Sequence, residues 1–142
     1  MEQLLCHVFA DYVIQSDWMA LNKSKRSWPC LVHVLLYTSV FLLLTTSWKA
    51  LAVIGVTHFL LDRFPVIVRR LIWFKNHLGP GGKYVPFEHC KVTGYYDHFS
   101  SPSNIEMNGY SQRLSYITIW LYIITDNFLH LTINYLAIKY LG

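Results

Sequence analysis

Four histidines and three aspartates lie inside the most apolar stretches of this chain, and six of these seven fall into pairs four residues apart. The pairs are His7/Asp11, His58/Asp62 and Asp126/His130, and His33 stands alone in another apolar run. Residues at that spacing share one face of a helix, so each pair can aim two donor groups at the same point. Imidazole nitrogens and carboxylate oxygens bind zinc and similar divalent ions at about 2.0–2.2 Å. The chemistry implied is a metal centre. Seven donors exceed the needs of one tetrahedral ion and suffice for one or two, a carboxylate bridging in the second case. A mixed nitrogen and oxygen set suits Zn first, then Mn or Fe. A centre of this kind polarises a phosphoryl oxygen and activates water, which is the chemistry of phosphoester hydrolysis. Asp62 and Asp126 are the carboxylates expected to take part in that catalysis, and His7, Asp11, His33, His58, Asp62, Asp126 and His130 to hold the metal.

The same residues have plainer uses. A histidine on an apolar helix is often a core residue satisfied by hydrogen bonds. Asp–His pairs also hold helices together through charge-assisted hydrogen bonds, or line a path for protons or ions. Around the main set, Gln15 and Asp17 follow Asp11 by about a turn, and Asn127 and Asn134 could orient a ligand or pack helices. Lys23 and Arg63 could hold a phosphate; equally, they could reach for lipid headgroups. His77, His89 and His98 belong to polar surroundings and read as solvated, Asp97/His98 being the pair best placed to meet a substrate. Cys6 and Cys30 read as small apolar fillers, since the three cysteines show no CxxC spacing.

The elements that must position these groups are set by composition. Of 142 residues, 54% are hydrophobic and only 14% charged, and the mean hydropathy is +0.30. Soluble domains carry about 25% charged residues, so the deficit points to a bilayer as solvent. Five Trp, ten Tyr and eight Phe suit interfacial belts. The length allows a single domain, 1–142. The net charge of +4 comes mostly from residues flanking apolar runs, which favours anionic lipid over nucleic acid. The acidic start, with His7 and Asp11 where an apolar core would be needed, does not read as a cleaved leader.

A first helix is expected over residues ~2–20, followed by a basic turn at Asn22–Ser27. A nearly uncharged run from Cys30 to Ser47 is about one bilayer long. A third helix should end or kink at Pro65, and Val66 to Leu78 has the composition of a helix lying among headgroups. Residues 79–112 form a polar loop, opened by Gly79-Pro80-Gly81-Gly82, which lacks the ending of a phosphate-cradling loop. The last helix spans about Gln112 to Tyr140. The expected fold is therefore all-α: a small membrane-embedded bundle of about four main helices plus an interfacial one. Basic residues at 23–26 and 69–91 should share the cytoplasmic side of a bacterial inner membrane.

Taken together, these motifs resemble an uncharacterised family of small phage and bacterial integral membrane proteins. The likeness rests on His7-x3-Asp11, on Gln15-x-Asp17-Trp18-Met19-Ala20-x-Asn22-Lys23, on His33, on His58-x3-Asp62-Arg63 and on Asp126-Asn127-x2-His130. More distantly, the layout is similar to membrane-bound metal-dependent hydrolases and to the helical zinc phospholipase C and P1-nuclease group. That resemblance implies a phosphoesterase-like metal site, although the chain lacks an evident glutamate ligand. The expected substrate is a phospholipid, an isoprenoid phosphate or a nucleotide, with membrane lipids as surroundings. The alternative is a non-enzymatic phage membrane protein that binds a host membrane protein, its His/Asp cluster structural or ion-conducting. Self-association into a homo-oligomer stays open in either case.

Overall fold

A computed structural model of the chain describes residues 1–77 and 115–142. Every regular element among them is helical: α1 (Glu2–Phe9), a π-helical turn (Ala10–Ile14), α2 (Asp17–Asn22), α3 (Ser27–Phe41), α4 (Trp48–Arg63), α5 (Val66–His77) and α6 (Ser115–Leu141). The expected loop at 79–112, with Cys90, His89, Asp97 and His98, lies outside the described residues, as does the side chain of His77.

The chain divides into two compact units, Met1–Pro65 with Asn127–Gly142, and Val66–Asp126. The first holds every site residue discussed below except Asp126. In it α3 packs along α4. Gly55 permits the close approach, because a Cβ there would stand 3.0 Å from Thr38 Oγ1. Tyr37, Phe41, Ile54, Ala10 and Ala137 form the apolar core beneath the polar groups. Ser47 Oγ donates to the carbonyl of Leu141, tying the start of α4 to the end of α6. In the second unit, α5 buries Val68 and Ile72, one turn apart, and leaves Ile67, Leu71 and Phe74 exposed.

Two helices differ from expectation. The first does not run on to residue 20. It widens into the π turn at Asp11, becomes extended at Gln15 and Ser16, and restarts as α2 with Ser16 Oγ accepting from Met19 N–H at 3.5 Å. The second stops at Phe41 instead of Ser47. Its end tightens through bonds from Leu42, Leu43 and Leu44 N–H to carbonyls three residues back. Thr45 Oγ1 then accepts from Ser47 N–H at 3.1 Å, so hydroxyl side chains compete with the helix where the sequence shows only an apolar continuation. The third helix does end just before Pro65. Among the described residues no single helix is both long and apolar enough to cross a membrane, and α4 with α5 qualifies only as a pair broken near Pro65.

Candidate metal centre

Five pieces of backbone carry the donors in. The π turn presents Asp11, α3 presents His33, and α4 presents His58 and Asp62 from one face. α6 adds His130, and α1 adds His7. The π turn matters here because its extra residue shifts the helix phase locally, a distortion common at functional sites. His7, His33, His58, Asp62 and His130 are all buried, and Asp11 is nearly so.

The centre of the cluster is a pair of imidazole nitrogens. His33 Nε2 and His58 Nε2 lie 3.0 Å apart. Asp11 Oδ1 stands on one edge of this pair, 3.3 Å from His33 Nε2 and 3.6 Å from His58 Nε2. Asp62 Oδ2 stands 3.3 Å from His33 Nε2 and 3.2 Å from His58 Nε2. Despite these distances Asp11 Oδ1 makes no hydrogen bond of good geometry among the described residues. Buried acceptors left in that state are costly unless something else satisfies them.

A cation would do so. Donors at about 2.0 Å from a tetrahedral ion are about 3.3 Å from one another, close to the separations found here. The point equidistant from His33 Nε2, His58 Nε2 and Asp11 Oδ1 lies about 1.9 Å from each, so an ion slightly off that plane reaches all three at zinc-like lengths. The triangle made with Asp62 Oδ2 instead gives about 1.8 Å and the same conclusion. The residues fit a divalent ion.

Two groups of donors can hold one: Asp11 with His33 and His58, and His58 with Asp62 and His130. His58 belongs to both. In the second group His130 Nε2 is 3.8 Å from Asp62 Oδ1, and its ring lies 4.1 Å from that of His58 between centroids. His7 is placed differently. Its Nε2 meets Asn127 Oδ1 at 2.7 Å and its Nδ1 meets the Tyr37 hydroxyl at 2.7 Å. The amide oxygen can only accept, so His7 Nε2–H donates and Nδ1 accepts from Tyr37 O–H. Its remaining contact is with Asp11 Oδ2, 3.4 Å from Nδ1. His7 thus stands behind Asp11 without a hydrogen bond to it, since in that tautomer neither Nδ1 nor the carboxylate carries a proton to share. Asp126 precedes His130 by one turn of α6, falls in the second unit, and is in neither group.

Tyr37 is the residue that sequence reasoning missed. It is fully buried, stacks on His58 with ring centroids 3.7 Å apart, and accepts from Asn134 Nδ2 at 2.6 Å while donating to His7. The signal was available: Tyr37 follows His33, and Asn134 follows His130, by the same four-residue step that linked the histidines and aspartates. Asn127 Nδ2 also donates to the Tyr12 hydroxyl at 2.9 Å, which fixes the amide that His7 uses. Lys23 reaches Asp62 Oδ2 at 3.0 Å, a polar contact at the centre itself.

Residues 1–79 match the family described as protein of unknown function (DUF3307). The chain belongs to that family. The matched segment contains Asp11, Lys23, His33, His58 and Asp62, and so the whole of the tight donor set; His130, Asn127 and Asn134 lie beyond it. No curated protein and no solved structure matches the chain.

Proposed function

We propose that this protein is a membrane-embedded, metal-dependent hydrolase of phosphoesters, holding one divalent cation, zinc in the first instance. The observation that carries the reading is the convergence of two imidazole nitrogens and two carboxylate oxygens, from three separate backbone elements, at 3.0–3.6 Å inside a buried site. One ion is favoured over two because both donor groups draw on His58, and a neutral imidazole has one nitrogen lone pair to give. His33, His58 and Asp11 would hold it, with Asp62 as the further ligand. Bound there, the cation supplies Lewis acidity toward a phosphoryl oxygen and toward water.

The chain's own residues supply the rest. Tyr37 fixes the His58 ring by stacking, and its hydroxyl holds His7 beside Asp11. Asp62 Oδ1 and His130 Nε2, 3.8 Å apart, form the carboxylate–imidazole pair placed to hold the proton that an attacking water gives up. The apolar surface of the same unit supports a lipid surrounding, hence a phospholipid or isoprenoid phosphate ahead of a soluble nucleotide, with the basic turn at 23–26 on the cytoplasmic face. Detergent-purified protein loaded with zinc should release phosphate or a phosphorylated headgroup from one of these substrates, and Asp62→Asn should abolish it. Undiminished release by Asp62→Asn would defeat the assignment.

A second reading takes the cluster as structural glue in a non-enzymatic membrane protein. It is favoured by His7, whose two nitrogens are already committed to Tyr37 and Asn127. Metal content separates the two, since a cluster that serves only as glue takes up no stoichiometric zinc.

A further inference from the structure

Lys23 meets the centre from the turn after α2 rather than from the helices that build it. Its ammonium lies 3.0 Å from Asp62 Oδ2 and donates to Gln15 Oε1 at 3.0 Å. The carboxylate oxygen it touches is the one that faces His33 Nε2 and His58 Nε2, and so the one a bound cation would take. The Lys23 side chain is 21% exposed while that of Asp62 is 3% exposed, so the ammonium marks the border between the buried donors and the outside. Arg63, the other basic residue nearby, is committed elsewhere. Its Nη1 donates to the Ser24 carbonyl at 2.6 Å and its Nε to Ser27 Oγ at 3.3 Å, which pins the turn carrying Lys23 to the end of α4.

A fixed positive charge in that place acts in two opposed ways. It competes with a cation for Asp62, and it attracts any anionic oxygen that approaches the cation from outside. We propose that Lys23 is the anion-recognising residue of the centre: with the bound cation it clamps a phosphoryl oxygen, at the expense of cation affinity. This rests on the metal-centre reading above and adds to it a substrate-positioning residue.

The consequence is a pair of changes of opposite sign. Full-length detergent-solubilised protein would be titrated with zinc against a chromophoric chelator, and the zinc-loaded protein with inorganic phosphate by calorimetry. Lys23→Met should bind zinc about 10-fold more tightly and phosphate about 10-fold more weakly, while Lys23→Arg stays within about 3-fold on both. Gln15→Leu, which removes the tether and leaves the charge, should weaken phosphate binding about 3-fold and serves if Lys23→Met does not fold. Repeating the anion titration with phosphatidic acid in mixed micelles separates the sources. A matching loss in Lys23→Met assigns the clamp to lipid phosphates as well, and a loss with inorganic phosphate alone assigns it to soluble ones. If Lys23→Met weakens zinc and phosphate together, Lys23 is only a structural support and the clamp is overturned. Unchanged phosphate binding overturns it too. Wild-type protein that binds no zinc overturns the metal centre itself, and the clamp with it.

Discussion

The first unit buries a polar cluster beside its apolar core and leaves many large apolar side chains exposed on its perimeter. Inside, His7 is 0% exposed and His33 1%, beside a buried Asp62 and Asn134. Outside, Leu43 is 82% exposed and Val13 67%, with Leu5, Leu35, Val56 and Phe128 also open. Water would favour the reverse, because exposed leucines forgo hydrophobic burial and buried carboxylates pay desolvation. Under the proposed function the two regions would answer to different solvents: the outer one to lipid, the inner one to an ion and the anion it binds. A buried polar cluster of this kind is stable only if its donors are satisfied together.

The largest expected effect comes from breaking the inner region at its central pair. His33→Ala or His58→Ala removes a nitrogen from the closest contact in the cluster, and zinc affinity should fall by more than about 100-fold, read by chelator competition. His7→Gln, which alters a neighbour of Asp11 and none of the central donors, should lower affinity by about 10-fold. Equal losses for all three variants would mean that His7 is itself a ligand.

Tyr37→Phe tests the next layer. It deletes one hydroxyl but leaves two buried partners, His7 Nδ1 and Asn134 Nδ2, without it. We expect a loss of about 2–4 kcal/mol of stability in detergent, measured by thermal or denaturant unfolding. A change below about 0.5 kcal/mol would show that the two partners find each other directly.

How much of this was legible depended on whether a feature is local. The pairs His7/Asp11 and His58/Asp62 follow from helix periodicity, and the all-α character follows from the apolar runs. Pro65 ends its helix as its chemistry requires. The break at Gln15–Ser16 and the early stop at Phe41 were not legible, because each is decided by side-chain oxygens competing for backbone N–H groups. Nor was the separation of His7 from the central donors. Spacing puts His7 and Asp11 on one face, but it is Tyr37 and Asn127, distant in sequence, that draw the imidazole away from the centre. The reach of Lys23 to Asp62 likewise depends on how the turn is pinned by Arg63.

Smaller effects should come from the perimeter and from the α3–α4 contact. Leu43→Gln and Val13→Gln should leave zinc affinity within about 2-fold while lowering the fraction recovered in lipid vesicles, because a polar side chain facing hydrocarbon is unfavourable. Equal vesicle recovery would remove the argument for a lipid-facing perimeter. Gly55→Ala brings a methyl group to 3.0 Å from Thr38 Oγ1, yet it also gains about 1 kcal/mol of helix propensity. The net change in stability should stay within about 1 kcal/mol, and a much larger loss would show that the α3–α4 spacing tolerates no adjustment.

Zinc stoichiometry tests the metal centre most directly. Protein purified in detergent, dialysed against excess zinc and then against buffer, would be analysed for metal per chain. The expected result is about one tightly held zinc per chain, lost in the double variant Asp11→Asn/His33→Ala. Zinc well below one per chain in the wild type, or retained in that variant, would contradict it.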